Sequence, residues 1–443
     1  MLSDKQKTIK VGLVGLGIVG TGTLEVLCRN QKEILRRAGV NIIVTDVASR
    51  DAERVRTIIN NMQSCEVKPK IHENAIDVAN ADIDILVELI GGCKIAKDII
   101  IQAIKNKKHI VTANKALIAN HGKEIFKLAQ ENSVMVNFEA AVAGGVPIIK
   151  ALREGLSANK IEWIAGIING TTNFILSEMD SKNLPFDEVL KQAQELGYAE
   201  IDPSFDIEGI DAGHKASIMA SLAFGIPLKF SNAYIEGITQ IKSIDMQYAN
   251  ELGYKIKLLG IAKNSPKGIE LRVHPSLLLK EHILANVNGA MNAVMVNGDA
   301  VGQTLYYGKG AGSEPTASAV IADLVDVVRS IDTKTIGRVP YLAFQDNALV
   351  DTPILNIKDI STRYYLRLNV TDKTGVMAII TQELAKNNIS ISALLQKEPQ
   401  NSQKVDIIIL TNVVKESAVD NAIEAIKAQV EHDDIVKIRL ELL

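Results

Sequence analysis

The chain has 443 residues, a length that at roughly 150 residues per domain favours about three domains over one compact core. Its 49 Lys and Arg against 52 Asp and Glu leave a formal charge of -3, so there is no net positive field to hold phosphate backbones or an anionic membrane surface, and nucleic acid and membrane are disfavoured as partners. Hydrophobic residues at 47% and charged residues at 23% sit at the globular average, far from compositions that stay disordered.

The first segment alternates strand and helix periods. Ile9 to Val14 reads as a strand, Thr21 to Ala38 as an amphipathic helix, Asn41 to Ala48 and Ile83 to Leu89 as further strands, and strand-plus-helix units follow at His109 to Thr112 and Val134 to Phe138. This βαβ pattern predicts a Rossmann-type, doubly wound parallel sheet over residues 1–147. Residues 148–355 change texture, with strand-like runs at Ile161 to Ile168, Glu236 to Ile241, Leu258 to Lys263, Ile269 to His274 and Ala293 to Val296. Helical runs at Phe186 to Glu195, Ala212 to Phe224 and Ala317 to Ile331 accompany them, which predicts an α+β domain with a partly antiparallel sheet. Residues 361–443 follow the order βαββαβ: strand Tyr364 to Val370, helix Val376 to Asn387, strands Ile389 to Gln396 and Val405 to Thr411, helix Glu416 to Ala428 and strand Ile435 to Leu442. That order is the ferredoxin-like plan, and the fold class is therefore α/β with two α+β additions.

Three cysteines, Cys28, Cys65 and Cys93, are widely spaced and form no Cys-x-x-Cys pair, which argues against a disulfide framework or a thiolate zinc site and fits a reducing cytoplasm. The polar start, Met1 to Lys7, predicts no signal peptide, and the longest apolar runs, such as Ile218 to Phe224, fall short of the roughly 20 residues that cross a bilayer.

The sharpest motif is Gly15-Leu16-Gly17-Ile18-Val19-Gly20, a G-x-G-x-x-G between a predicted strand and a helix. Its glycines allow a tight turn and let the backbone approach a pyrophosphate at the helix N-terminus; a ligand-free β-to-α turn is the plainer reading. At the exit of the second strand Asp46 falls inside the alternation and Arg50 beyond it, where a guanidinium would meet a ribose 2′-phosphate or simply solvent, so NADP is favoured modestly over NAD. Lys115 follows the strand His109 to Thr112, at the end where open parallel sheets bind ligands, although most lysines are merely exposed. Asp211 and Lys215 stand four apart at the head of a helix that is apolar from Ala216 to Phe224. A lysine so placed, with Glu200, Asp206 and Asp211 near it in sequence, suits proton donation to a developing alkoxide; an exposed i, i+4 pair is the alternative, and His214 reads as a packed histidine.

Through Gly15 to Gly20, Thr112-Ala113-Asn114-Lys115, Asn169-Gly170-Thr171-Thr172-Asn173-Phe174-Ile175, Gly197-Tyr198-Ala199-Glu200, the run Asp206 to Lys215 and Gly308-Lys309-Gly310-Ala311-Gly312, the sequence resembles the homoserine dehydrogenases over essentially its whole length. The resemblance implies interconversion of L-homoserine and L-aspartate 4-semialdehyde with NADP or NAD, a step toward threonine and methionine. It implies Lys215 as proton donor and Lys115 as its partner beside cofactor and substrate, with Glu200, Asp206, Asp211, Thr171 and Tyr198 binding homoserine. Gly15, Leu16, Gly17, Ile18, Val19, Gly20, Arg50, Lys115, Gly197, Gly310 and Gly312 correspond to cofactor contacts. A monovalent cation, typically sodium, would be held by Glu139, Val142, Gly144 and Val146, an oxygen set suited to a hard ion, unless Glu139 is satisfied by ordinary hydrogen bonds. The C-terminal unit resembles an ACT domain, with Thr374 where the usual Asp-x-Pro-Gly-Val loop has proline. That implies threonine as effector and a homodimer or homotetramer, since edge strands of such modules pair with copies of themselves. The rival reading is a cofactor-binding amino-acid sensor with a degenerate dehydrogenase site; intact Lys115, Glu200, Asp211 and Lys215 argue against it.

Overall fold

A computed structural model describes residues 7–62, 65, 67–397 and 404–443, so the polar start of the chain, residues 1–6, lies outside the described residues. The chain divides into two compact units: residues 1–164, 214–231 and 292–351 form one, and residues 165–213, 232–291 and 352–443 the other.

The first unit holds a six-stranded sheet of order β3-β2-β1-β4-β5-β6, built from β1 (Thr8–Val14), β2 (Asn41–Ala48), β3 (Lys70–His72), β4 (Ile85–Glu88), β5 (His109–Thr112) and β6 (Val136–Asn137). Every neighbouring pair is parallel, and the strand order reverses between β1 and β4. In doubly wound sheets that reversal opens the ligand crevice at the strand C-termini. Ile85, Leu86 and Val87 are wholly buried, as expected of a strand covered on both faces. The predicted helix Thr21 to Ala38 is in fact two, Ile18–Arg29 and Gln31–Ala38, separated at Asn30. Leu24 and Leu27 of the first share a core with Val11 and Leu13 of β1 and with Ala317, Val320 and Leu324 of the long helix Ser313–Thr333. A helix distant in sequence thus completes the core of this sheet.

One expectation fails here. Cys28, on the first helix, and Cys65 form a disulfide with their Cα atoms 4.9 Å apart, so the argument against cross-linking does not hold, and the cysteines no longer speak for a reducing compartment. The cysteines stand 37 positions apart, with β2 and the helix Ala52–Asn61 between them. Spacing along the chain was no guide to that.

In the second unit Tyr254–Ser265 and Gly268–Leu279 make a long antiparallel pair, and the sheet continues through His432–Leu440, Ser361–Thr371, Lys404–Thr411 and Ile391–Gln396. The last four strands, with helices Val376–Lys386 and Glu416–Gln429, are the βαββαβ module, with its own core of Tyr364, Leu366, Leu368, Ile407, Ile409, Val419 and Ile426. This module is stitched to the preceding sheet: Ser276 and Leu277 pair in parallel with Arg439 and Leu440. Charged pairs bury themselves along the seam. Arg272 grips Glu441, and Arg439, wholly inaccessible, binds Glu416 and, at 2.7 Å, Glu236. The segment around Pro353 also lies on the sheet, since Ile269 N–H donates to Pro353 O at 2.9 Å and Leu355 N–H to Ile269 O at 2.8 Å.

The predicted strand Glu236 to Ile241 is instead a turn after the short strand Tyr234–Ile235. Ile238 N–H donates to Ile207 O at 2.8 Å, and a Cβ on Gly237 would lie 2.2 Å from the same oxygen, so the backbone here packs on a loop and leaves the ladder. Among the described residues no helix is long and apolar enough to cross a membrane.

Candidate active site

Four strand ends of the first unit finish level. Val14 pairs with Ala48 and with Glu88, and Glu88 pairs with Thr112. The segments that leave this line are the glycine-rich turn, Arg50, the loop Leu89 to Gly92 and the approach to Lys115.

Gly15 adopts φ +96, and a Cβ there would stand 2.7 Å from Leu89 C, so this turn needs glycine twice over. A Cβ on Gly20 would stand 1.9 Å from Gly15 O, whereas Gly17 faces open space. The glycines thus tighten the turn, pack the helix on it and leave its outer face bare. The helix Ile18–Arg29 starts from Gly17 without a side-chain cap, so its leading amides remain for a ligand. Ser313 Oγ donates to Ile18 O at 2.9 Å, and Gly22 must stay bare because a Cβ would lie 2.2 Å from Ser313 Oγ. This contact brings the loop Gly308 to Gly312 beside the glycine-rich turn. The cradle fits a dinucleotide phosphate, with Leu16, Ile18, Val19, Gly310 and Gly312 on its two loops.

Asp46 lies inside β2 and is occupied by His72 Nε2 at 2.7 Å, while Arg50 lies beyond the strand, exposed. Lys115 opens the helix Lys115–Glu131, capped by Asn114: Asn114 Oδ1 accepts from Leu117 N–H at 3.0 Å, and its Nδ2 donates to Gly92 O at 2.6 Å. Lys215 is buried on the helix Ile210–Phe224, whose first turn carries Asp211. His214 is a packed histidine, its ring 4.0 Å from that of Phe230 and its Nε2 3.3 Å from Asn120 Nδ2.

In the second unit Asn169 gathers two carboxylates. Its Nδ2 donates to Asp206 at 2.7 Å and to Asp211 at 2.9 Å, while its Oδ1 accepts from Thr172 N–H at 2.8 Å and caps the helix Gly170–Lys182. Two carboxylates drawn to one amide concentrate negative charge, a setting that attracts a cation such as an ammonium. Thr171 Oγ1 donates to Tyr198 O at 2.6 Å, and Gln194 Nε2 donates to Glu200 O at 3.1 Å, which pins the loop Gly197 to Glu200.

Glu139 sits in a buried turn with both carboxylate oxygens accepting backbone amides, Ile149 N–H at 2.9 Å and Lys150 N–H at 2.8 Å; its own N–H donates to Asp323 at 2.7 Å. Burial pushes the Glu139 carboxyl up to about 7, with Asp323 adding to the shift, and burial raises Asp323 as well. Gly144 presses on Gly310, and Gly310 on Asn292, whose buried amide has neither Nδ2 nor Oδ1 hydrogen-bonded. Both Glu139 oxygens are thus met by ordinary hydrogen bonds, the plainer of the two readings, and a cation here would draw on their remaining lone pairs. Among the described residues no cluster of three His, Cys, Asp or Glu could hold a metal, so backbone carbonyls such as those of Val142, Gly144 and Val146 would supply the other donors.

The sequence reading missed Glu88, Asn114, Asn169 and Asp323. Asn114 and Asn169 carry a signal, an Asn just before a helical run. Glu88, a lone charge ending an apolar strand, carries another, whereas Asp323 meets Glu139 only across 184 residues.

Family models for the NAD binding domain of homoserine dehydrogenase, for homoserine dehydrogenase and for the ACT domain match residues 15–139, 147–325 and 364–431. A homoserine dehydrogenase of Pseudomonas aeruginosa is 54% identical over 99% of this chain and 100% of its own length, and one of Neisseria gonorrhoeae is 51% identical over 99% of each. A crystal structure of a homoserine dehydrogenase from Thiobacillus denitrificans matches with TM-score 0.92 and 57% identity over 98% of this chain and 99% of that one. A hyperthermophilic archaeal homoserine dehydrogenase in complex with NADPH matches with TM-score 0.61 and 26% identity over 72% of this chain and 97% of that one. Cradle, paired carboxylates and buried lysine thus stand in a sequence akin to these enzymes from end to end, and the chain belongs to the homoserine dehydrogenase family.

Proposed function

We propose that Lys215 is the proton donor in the NAD(P)-dependent interconversion of L-homoserine and L-aspartate 4-semialdehyde, with Lys115 as its partner beside cofactor and substrate. The observation that carries this is a buried lysine on the helix whose first turn holds Asp211, itself fixed with Asp206 by Asn169. Asp206, Asp211 and Glu200 take the substrate ammonium through charge-assisted bonds, and Thr171 and Tyr198 shape the pocket wall. The bound nicotinamide supplies or accepts the hydride. Lys215 gives its proton to the oxygen as the aldehyde is reduced and recovers it in the reverse direction.

Arg50 favours NADP, as does the NADPH held by the archaeal relative, with the glycines from Gly15 to Gly20 and Gly310 to Gly312 around the phosphates and Gly197 contributing from its loop. Glu139, Val142, Gly144 and Val146 hold sodium. The open edge strand Ile391–Gln396 supports self-pairing into a dimer or tetramer, with threonine bound at the C-terminal module. The need for a nicotinamide pool supports a cytoplasmic site of action.

The test is the reduced-nicotinamide absorbance with homoserine and either cofactor, for the wild type and Lys215→Ala. Because donation matters chiefly in the transition state, kcat should fall about 10²- to 10⁴-fold with little change in homoserine KM. A near-normal kcat with a raised KM removes Lys215 from the acid role.

A further inference from the structure

Glu88 ends β4, a strand whose other residues are Ile85, Leu86 and Val87, and it is as fully buried as they are. An apolar side chain would complete that strand at lower desolvation cost, so the carboxylate must be retained for what it binds. Its Oε1 accepts from Ile90 N–H at 2.9 Å and from Gly91 N–H at 3.2 Å, and its Oε2 accepts from Thr112 Oγ1 at 2.7 Å. Burial drives its pKa up, and these donors pull it back.

Each partner leads to the cofactor cradle. The Leu89–Ile90 peptide that Oε1 steadies is the surface on which Gly15 presses. Gly91 and Gly92 follow at φ +71 and +69 with open space where a Cβ would stand, so bare backbone faces outward. On the other side Thr112 Oγ1 accepts from Asn114 N–H at 3.0 Å, and Asn114 both caps the helix that begins at Lys115 and holds Gly92 O. Glu88, Thr112, Asn114 and the Gly91–Gly92 loop therefore close a ring of hydrogen bonds at the point where the sheet order reverses.

We propose that Glu88 is a positioning residue for the dehydrogenase reaction: its carboxylate fixes the Leu89 to Gly92 backbone against Gly15 and, through Thr112 and Asn114, the helix entry that presents Lys115. The second half rests on the reading of Lys115 given above. Glu88 touches neither substrate nor cofactor; it acts through the loop and the cap.

Glu88→Gln keeps the shape and removes the charge from these bonds. NADPH affinity, read from nicotinamide fluorescence without homoserine, should weaken about tenfold, and kcat should fall by a similar factor. Homoserine KM at saturating cofactor should stay within about twofold and the thermal midpoint within a few degrees, which a purely structural role would not give. Thr112→Val, which cuts only the Oε2 arm, should lower kcat more than it weakens NADPH binding. A folded Glu88→Gln variant with wild-type NADPH affinity and kcat overturns the proposal. Lys115→Ala separates the two readings: if it keeps wild-type kcat the Lys115 role fails, and a weakened NADPH affinity in Glu88→Gln would still uphold the hold on Leu89 to Gly92.

Discussion

Arg367 closes on Asp245 through two parallel hydrogen bonds, Nε to Oδ1 at 2.6 Å and Nη2 to Oδ2 at 3.1 Å, and joins the first strand of the C-terminal module to the helix Ser243–Glu251. Both side chains are buried, and Tyr365 Oη adds a third donor to Asp245 at 3.1 Å. Removing one partner of such a pair strands the other charge, at a cost of about 3–5 kcal/mol. Arg367→Ala, which strands Asp245, should lose stability on that scale in urea unfolding, and Asp245→Ala less, because Arg367 keeps Asp434 at 2.9 Å. A chain cut after Lys358 would leave Asp245 buried without Arg367 and reduce Arg272 to its Glu270 partner, and should unfold or aggregate. The proposed threonine control is better tested in the full chain: threonine should inhibit the wild type and inhibit Asp372→Ala, altered in the module loop, less; equal inhibition would place the effector elsewhere, and none in the wild type would refute the control.

Asn169 holds Asp206 and Asp211 in place, so Asn169→Ala should act like Asp211→Asn. Each should raise homoserine KM by roughly tenfold or more, the scale of one charge-assisted bond, with a smaller change in kcat. Steady-state kinetics at saturating cofactor decide this. An unaltered KM in Asp211→Asn would refute the ammonium assignment, and an unaltered KM in Asn169→Ala alone would confine Asn169 to capping its helix.

Arg50 is exposed beyond β2, and Asp46 is occupied by His72. Arg50→Ala should weaken NADP binding about tenfold, the order of one guanidinium–phosphate pair, and leave NAD nearly unchanged. Equal losses for both cofactors in titration would remove the phosphate role.

Burial holds the His109 imidazole down at about 4, and its neutral Nδ1 accepts from Met135 N–H at 3.0 Å. The unfolded ring titrates near 6.5, so the unfolded state binds more protons between those values. The contribution is complete above pH 6.5 and is lost as pH falls through 4, amounting to about 3 kcal/mol. His109→Gln, measured by urea unfolding from pH 7 to pH 4, should show a correspondingly flatter loss than the wild type. Parallel curves would assign the acid sensitivity to other groups.

Much of this was written locally in the chain. Alternating periods marked the parallel sheet because each strand and helix buries its own face, and Lys215 stood out as a charge at the head of an apolar helix. What failed to show depended on distant partners. The disulfide joins Cys28 to Cys65 after an intervening strand and helix, the turn after Ile235 is set by Ile207, and Glu139 gains its neighbour Asp323 only when the helix Ser313–Thr333 docks on the sheet. Asn30 broke one predicted helix into two, since an apolar stripe continues across a break that only backbone geometry reveals.

With Cys28 and Cys65 joined, Cys93 is the one free thiol among the chain's three cysteines, half-buried directly after Gly92. The protein is thereby a single-cysteine reporter without mutagenesis. A maleimide fluorophore at Cys93 would sit at the lip of the Gly91–Gly92 loop and register cofactor arrival as a change in emission. Burial raises the Cys93 pKa, so labelling calls for mildly alkaline buffer, and the same reaction after reduction would mark two further sites.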